Sequence, residues 1–288
     1  MRGSLIFSKR FCQGAAVLLA FAFLYESLGA SIDHSTITEV VNSVKIIDPG
    51  SRHVSRAEVN GLFEAPEIMQ TGVASRSEMV AADQTITRVG ADTLFSFEPK
   101  SRTINLRQGS ILFQSPSGKG GGTIQTESAT ASVLGTTIIV VATSDGGFKI
   151  LVLEGTARVT MPNGKVWIVH GGQLLVVTPG AKEPGPVLDF LLSDQVATSF
   201  LVHGFKRPLP SWEKIQQQIQ KQNKKISLGK FNAPGVVVGG IADPNIVIDR
   251  FERLHEGPNP PLPTPTPGSA AAKRRAGRPA GSAPGTKV

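Results

Sequence analysis

Residues 101–177 have the sequence SRTINLRQGSILFQSPSGKGGGTIQTESATASVLGTTIIVVATSDGGFKILVLEGTARVTMPNGKVWIVHGGQLLVV. Short apolar and β-branched runs alternate here with glycine-containing turns, at a spacing of about 8–12 residues. In the run 103–107, Ile104 and Leu106 alternate with polar residues and therefore share one face of a predicted strand. The run 137–141 consists entirely of β-branched residues, as expected for a buried strand. This pattern predicts an all-β module.

Two hairpins are predicted within this stretch. The Asp-Gly-Gly sequence at 145–147 is expected to turn the chain between strands at 137–141 and 148–153. The Asn-Gly sequence at 163–164 suits a two-residue hairpin loop, because both residues tolerate positive φ. In the strand before it, 157–161, apolar and polar residues alternate, so the polar ones are expected to face away from the core.

The apolar spacing becomes helical after the Pro-Gly-Pro sequence at 184–186. Apolar positions at intervals of three and four predict three amphipathic helices, which lie within Leu188–Phe200, Trp212–Ile226 and Asp243–Leu254. Ser211 is the predicted N-cap of the second helix. We expect these helices to pack on the β-module or on one another. The alternative is an arm that docks a partner protein.

The N-terminus has the features of a secretory signal. Basic residues precede an unbroken apolar segment of 12 residues, 14–25, and small residues precede Ser31. Cleavage is expected between Ala30 and Ser31, which predicts a periplasmic or cell-envelope protein. A membrane-spanning helix needs about 20 apolar residues, but retention of the segment as an anchor is the alternative. Cys12 is the only cysteine and precedes this segment, so the mature chain is expected to have no disulfide.

The positive charge is concentrated at the two ends of the chain. Of the formal net charge of +8, residues 1–30 contribute +2 and residues 258–288 contribute +5, which leaves +1 for the rest. A nearly neutral body does not indicate a nucleic-acid-binding protein. The tail contains a basic cluster that either contacts anionic lipids or acidic polymers or is simply solvated. The cluster consists of Lys273, Arg274, Arg275 and Arg278.

The expected organisation has four parts. Residues 1–30 form the signal peptide, 31–185 the β-domain, 186–256 a helical extension, and 257–288 a disordered tail rich in Pro, Ala and Gly. None of the five histidines has a His, Asp or Glu companion at metal-motif spacing. The glycine-rich segment 117–123 lacks the residue order of a phosphate-binding loop and is expected to be a hairpin loop. We therefore predict a non-enzymatic protein without a cofactor.

Six short motifs, in this order along the chain, resemble the FecR-domain family. They are Thr71–Met79, Asp83–Leu94, Leu106–Leu112, Ala131–Thr136, Val152–Val159 and Gly172–Gln173. The resemblance covers about residues 31–177 and implies a twisted β-sandwich or a solenoid-like stack. The motif residues expected to serve this fold are Gly72, Gly109, Gly135, Thr136, Glu154, Gly155, Gly172 and Gln173. One departure is Gln84, where the family often has glycine.

Two further expectations concern three of the glycines and Glu154. A glycine inside a strand marks a bulge, a bend or a close approach of another backbone, and Gly109, Gly135 and Gly155 are expected at such places. Glu154 is expected to be structural and to accept hydrogen bonds from backbone amides of the following turn. A catalytic role for it is not favoured, because no partner carboxylate lies at a recognisable spacing.

Known members of the FecR-domain family are sensors in transmembrane signalling. They have a cytoplasmic segment that controls a sigma factor, a membrane helix, this β-module, and a small α/β domain that contacts an outer-membrane transducer. Here only 13 residues precede the apolar segment, so the regulatory role is not expected to carry over. The leading prediction is an exported module that binds an envelope protein or a glycan, not nucleic acid. The alternative is a membrane-anchored sensor in sigma-factor-linked signalling.

Overall fold

The computed structural model describes residues 30–231, which form seventeen strands and three helices. The strands are β1 (His34–Val41), β2 (Val44–Ile47), β3 (Val54–Arg56), β4 (Leu62–Glu64), β5 (Ile68–Thr71), β6 (Arg76–Ala81), β7 (Ile86–Val89), β8 (Leu94–Phe97), β9 (Thr103–Gln114), β10 (Gly122–Gln125), β11 (Thr130–Val133), β12 (Thr137–Ala142), β13 (Phe148–Glu154), β14 (Thr156–Thr160), β15 (Val166–His170), β16 (Gln173–Val177) and β17 (Leu188–Asp189). The helices are α1 (Leu192–Thr198), α2 (Phe200–His203) and α3 (Trp212–Ser227). The predicted mainly β fold with a short helical region is confirmed.

The strands form two layers that share one strand. Sheet A has the order β4-β1-β6-β7-β9-β12-β13-β16-β17. Sheet B has the order β3-β2-β5-β8-β9-β10-β11-β14-β15. Every pairing is antiparallel except that of β9 with β10. Of the two architectures expected, the chain adopts the sandwich.

Strand β9 joins the two sheets. Its first half, 103–108, pairs with β8 and β10 in sheet B, and its second half, 109–114, pairs with β7 and β12 in sheet A. Gly109, which was expected at a bulge or bend, lies between the two halves, and the backbone continues through it as one strand. Because β10 runs parallel to β9, the glycine-rich segment that follows β9 crosses from one sheet to the other. The expectation of a hairpin loop there was wrong.

The main core lies between the sheets. Alternate side chains of both sheets meet there, since successive residues of a strand point to opposite faces. Three phenylalanine rings pack against one another, with centroid distances of 5.2–5.7 Å, and all three are fully buried. They are Phe63, Phe95 and Phe97. Burial of each such ring contributes about 2–3 kcal/mol.

A second apolar cluster lies on the outer face of sheet A. Residues 190–227, which we call the helical cover, pack on this face with α1, α2 and α3. From the sheet, Leu112, Ile139 and Leu151 take part, and from the cover, Leu201 and Ile215. The prediction that the helices pack on the β-module is thus confirmed for the described part. The third predicted helix, Asp243–Leu254, lies outside the described residues.

The start of the helical region differs from the prediction. Leu188 and Asp189 are a strand, not helix, because they pair with Leu174 and Gln173 at the edge of sheet A. The sheet therefore extends past residue 185. The helix then begins at Leu192 and is interrupted at Ser199, whose backbone is extended. Edge pairing supplies these residues with backbone partners, and this tertiary contact overrides their helical spacing.

Both predicted hairpins form, but the second does not have the expected two-residue loop. Its loop has three residues, 162–164, because the N–H of Met161 donates to the carbonyl of Lys165, and Gly164 but not Asn163 has a positive φ. Strands β12 and β13 pair across the turn at 145–147, and β14 and β15 pair across the turn at 163–164. On β14, Arg158 is exposed while Ala157 and Val159 are buried, as the alternation indicated.

Candidate functional site

Gly109 lies where β9 passes from sheet B to sheet A. Its φ is +95°, and a Cβ at this position would lie 2.3 Å from the Cα of Thr93. The Thr93 hydroxyl fills the inside of the bend and accepts the backbone N–H of Ser110 at 3.0 Å. Only glycine combines this backbone angle with so close a neighbour. Gly109 therefore allows one strand to serve both layers.

A second corner lies where β13 meets β14. Gly155 has a φ of +86°, and a Cβ there would lie 2.7 Å from the Thr136 hydroxyl. That hydroxyl donates to the carbonyl of Thr156 at 3.1 Å, which ties the start of β12 to the start of β14. Gly135 precedes it and faces the backbone of Ser117. Gly135, Thr136 and Gly155 together shape this corner of the sandwich.

Glu154 is buried at the end of β13, beside the first turn of α3. Its Oε1 accepts the hydroxyl of Thr137 on the neighbouring strand at 2.7 Å, and the Thr137 and Ser211 hydroxyls also lie 2.7 Å apart. Burial raises the pKa of the Glu154 carboxyl, although the hydrogen bond from Thr137 and the charge of Lys214 oppose that shift. The expected partners in the following turn were wrong, because the carboxyl points toward β12 and α3.

Ser211 precedes α3, as predicted for an N-cap, but its side chain makes no capping hydrogen bond. Its hydroxyl is directed to Thr137 instead. The serine therefore anchors the helix to the sheet.

Gly172 and Gln173 lie beneath α3. The side chain of Gln222 donates to the carbonyl of Phe190 at 2.8 Å and accepts the backbone N–H of Leu192 at 2.9 Å. A Cβ on Gly172 would lie 2.8 Å from the amide nitrogen of Gln222. The Gln173 side chain accepts the N–H of His170 at 3.1 Å. The backbone at Gly172 therefore lies directly against α3, with no room for a side chain between them.

Gly72 organises the turn after β5. Its N–H donates to the carbonyl of Ser43 at 2.9 Å, and its own carbonyl accepts the N–H groups of Ser75 and Asp92 at 3.2 Å each. Gln84, the departure from the family pattern, has a φ of +70°. A glycine in that position would adopt this backbone without strain, which gives a physical reason for the family preference.

Arg88 is a functional candidate that sequence reasoning missed. It lies on the outer face of sheet A, is fully buried, and its Nε donates to Oε2 of Glu78 at 2.9 Å. Glu78 also accepts the hydroxyl of Thr38 at 2.7 Å. The available signal was an arginine within the otherwise uncharged strand Ile86–Val89, which the alternation alone did not mark as buried.

The guanidinium of Arg88 holds the helical cover. It donates to the carbonyls of Leu201 and Val202 at 3.0 and 2.8 Å, and to that of Arg207. The carbonyls of Leu201 and Val202 belong to the last turn of α2, where backbone acceptors need partners, and Arg207 follows that helix. The ring of Phe205 lies 4.6 Å from the guanidinium carbon. We call the pair of Arg88 and Glu78 the buried ion pair.

The outer face of sheet B is the open face of the sandwich. One row of side chains crosses it, from Ile68 on β5 through Ser96, Asn105, Gln125, Thr130 and Thr160 to Val166 on β15. A parallel row contains Thr103, Thr123, Ser132, Arg158 and Ile168. None of these side chains is buried, and hydroxyl and amide groups occupy the centre of both rows. This face can therefore offer many donors and acceptors to a partner.

The open face also differs from sheet A in charge. The described strands of sheet B contain Lys45, Arg56, Arg107 and Arg158 but no aspartate or glutamate. All four are exposed. The strands of sheet A, in contrast, contain both signs. The charged side chains on the strands of the open face are therefore all positive, which favours an anionic partner.

Several predicted sites lie outside the described residues. The tail cluster of Lys273, Arg274, Arg275 and Arg278 is among them, as is the signal segment before Ala30. Ala30 and Ser31, the predicted cleavage residues, are exposed. Within residues 30–231, no helix has the length and hydropathy needed to cross a membrane. The same residues contain no group of His, Cys, Asp and Glu suited to a metal ion.

Comparison with known proteins identifies one family. No curated protein matches the chain. Two crystal structures of a proposed anti-sigma factor from Parabacteroides distasonis are similar, each with 18% identity and a TM-score of 0.41, covering 47% of this chain. This chain covers 64% of those chains, less than two thirds of their length. Residues 67–158, from β5 to within β14, match the model of the FecR protein family, so this part of the chain is a FecR-type domain.

Proposed function

We propose that the protein is an exported, non-enzymatic interaction module of the cell envelope and that it acts in FecR-type signalling, a role that the sequence alone did not lead us to expect. The observation that carries this proposal is the family match over residues 67–158. That segment supplies the centre of both sheets and includes β9, the strand that joins them. The match supports a signalling role of the FecR type. Export and binding are the finer parts of the proposal.

The binding part is supported by how the two outer faces differ. The helical cover lies on sheet A, where apolar side chains are buried, while the rows on sheet B are polar and accessible. An interaction module needs an accessible surface, and the open face provides one. We propose that its partner is an envelope protein or a glycan. The tail cluster that begins at Lys273 is a second proposed contact, to an anionic surface.

The export part is supported by the sequence of the first 30 residues and by the exposure of the expected cleavage residues, Ala30 and Ser31. Cleavage between them leaves the buried Ile32 and Asp33 in place. The first buried residue, Ile32, then lies one residue from the new N-terminus, and β1 begins three residues from it.

The experiment that tests the proposal combines fractionation with crosslinking in the producing cell. We expect mass spectrometry to find a mature chain that begins at Ser31 in the envelope fraction. A photo-crosslinker at Arg158 on the open face should capture one defined envelope component. The same crosslinker at Lys224, an exposed position on α3, is the control. A cytoplasmic chain that retains Met1, or identical products from both positions, would contradict the proposal.

The second candidate is a sensor anchored by an uncleaved 14–25 segment. The unbroken apolar run in that segment favours it. The same mass spectrometry separates the two candidates, because a chain that starts at Ser31 has lost the anchor. A full-length chain in the membrane fraction, together with altered expression of a defined gene set on deletion, would establish the sensor.

A further inference from the structure

We propose that the open face binds an anionic glycan, a polysaccharide that carries carboxylate groups. This inference rests on the proposed function and names its partner class. It depends on two properties of the face, the sign of its charge and the chemistry of its central rows. Neither property belongs to the helical cover or to the buried ion pair.

The charge distribution selects an anionic partner. Five acidic side chains occur on the strands of sheet A, namely Glu39, Glu64, Glu78, Glu154 and Asp189, and none occurs on the described strands of sheet B. On sheet B the exposed cations are spread over four strands, β2, β3, β9 and β14. Lys45 and Arg56 are cross-strand neighbours, while Arg107 and Arg158 lie on strands further across the sheet. An extended polymer with regularly spaced charges can contact all of these cations, whereas a small anion can reach at most the neighbouring pair. Arginine suits a carboxylate because its guanidinium can donate two parallel hydrogen bonds.

The central rows select a partner rich in hydroxyl groups. Asn105, Gln125 and Thr130 stand on three adjacent strands, β9, β10 and β11. Since neighbouring strands lie about 4.8 Å apart, their side chains offer donors and acceptors over about 10 Å. Thr123 and Ser132 already share a hydrogen bond at 3.3 Å, so their hydroxyls are held in position. Hydroxyls and amides match the hydroxyl groups of a sugar chain, because both groups donate and accept hydrogen bonds.

Anionic lipid and acidic protein fit the face less well. The exposed apolar residues of sheet B lie toward its two edges, at Val54 on β3 and at Val166 and Ile168 on β15. The centre of the face thus lacks the apolar patch that would be buried at the core of a stable protein–protein interface. A flat polar face also has no apolar segment to enter a bilayer.

The test measures binding of the whole chain to polygalacturonate by biolayer interferometry at two salt concentrations. Because the tail can itself bind polyanions, every variant carries K273A, R274A, R275A and R278A. In this background we expect R107E/R158E to weaken polygalacturonate binding at least tenfold. The control K221E/K224E makes the same charge change on the exposed side of α3 and should leave binding within about twofold. Neutral dextran should bind much more weakly than polygalacturonate.

A second double variant separates recognition of the glycan from attraction by charge alone. N105A/Q125A removes two amides without changing the charge, and we expect about three- to tenfold weaker binding to polygalacturonate. Its binding to polyphosphate, which has charge but no hydroxyls, should be unchanged. Equal effects of N105A/Q125A on both polymers, or no effect on either, would overturn the glycan assignment.

The remaining outcomes also decide the inference. Equal weakening by R107E/R158E and by K221E/K224E would overturn it, because net charge would then explain binding. Stronger binding to phosphatidylglycerol vesicles than to polygalacturonate, lost in R107E/R158E, would assign the face to lipid instead. Capture of one envelope protein by the Arg158 crosslinker, without polygalacturonate binding, would overturn only this inference and leave the proposed function intact.

Discussion

The stability of the fold should depend strongly on the buried ion pair of Arg88 and Glu78. Replacement of Arg88 with methionine leaves the Glu78 carboxylate buried without its cation, and three backbone carbonyls lose a donor. We expect the free energy of unfolding, measured in urea, to fall by about 3–5 kcal/mol. R88M/E78M removes both charges and should recover part of the loss. The exposed control R107M should stay within about 0.5 kcal/mol of wild type, and a loss below 1 kcal/mol for R88M would contradict the interpretation.

Gly109 and Gly164 form a matched pair, because both have positive φ but different surroundings. A Cβ on Gly109 meets the backbone of Thr93, while a Cβ on Gly164 meets nothing within 4 Å. We expect G164A to cost about 1 kcal/mol, the cost of the backbone angle alone. G109A adds a clash and should cost at least about 3 kcal/mol. Thermal unfolding measures both, and equal costs would show that β9 can bend without glycine.

Asp33 should make stability depend on pH. Burial would raise the pKa of Asp33, but hydrogen bonds from the Ser31 hydroxyl, the Lys100 N–H and the neighbouring histidine lower it from 3.8 to about 2. A carboxyl whose folded pKa is lowered stabilises the protein above its unfolded pKa, and this contribution is lost as the pH falls from about 4 to about 2.

Replacement of Asp33 with asparagine tests this dependence. We expect D33N to unfold with about 1–2 kcal/mol less free energy than wild type at pH 7, and the difference should shrink as the pH falls below about 4. Chemical unfolding at pH 7, 4 and 3 measures it. The exposed control E58Q should show no such trend. A difference for D33N that stays constant with pH would refute the electrostatic explanation.

At the level of elements, α3 is attached to the sandwich by polar contacts as well as by apolar packing. The side chain of Gln222 is the partner of a buried N–H and of a buried carbonyl in the segment Phe190–Leu192. Q222A leaves both without a partner, and we expect about 2–3 kcal/mol lower stability. Hydrogen exchange should show faster exchange in α3 with little change in β12. The exposed control Q220A should leave exchange unaltered, and uniform acceleration throughout the chain would contradict a local role.

At the level of the whole molecule, the helical cover completes the fold. Without it, apolar side chains such as Leu112, Ile139 and Leu151 on sheet A would face water. We expect a chain of residues 31–189 to bind a hydrophobic dye and to aggregate, because so large an exposed apolar patch is rare in monomeric proteins. A chain of residues 31–231 retains the cover and should remain monomeric. A stable, dye-free 31–189 monomer would show that the cover is dispensable.

The sequence predicted much of the fold through local signals. The alternation at 103–107 and the turns at 145–147 and 163–164 each specify a strand or a hairpin by themselves, because period-two alternation and positive φ are local properties. The amphipathic spacing of Trp212–Ile226 predicted α3 for the same reason. Leu188 was assigned to a helix because its strand pairing depends on β16, which its own neighbours in sequence do not reveal.

The candidate site was less accessible to sequence reasoning. The polar residues of the open face alternate with core residues, so their outward direction could be predicted. Their assembly into rows could not, because it depends on the register between strands that are distant in sequence. The buried ion pair was missed because Arg88 and the carbonyls it holds are separated by more than 110 residues.

The sequence by itself determined the β character of the chain, its hairpins, its glycine corners and its resemblance to the FecR family. All of these follow from backbone preferences and short-range spacing. Only the tertiary structure decided that β9 serves two sheets, that helices cover one outer face, and that the cations of sheet B share the other. The physical reason is that sheet pairing and burial are long-range, and they assign an arginine such as Arg88 to the interior and one such as Arg158 to the surface.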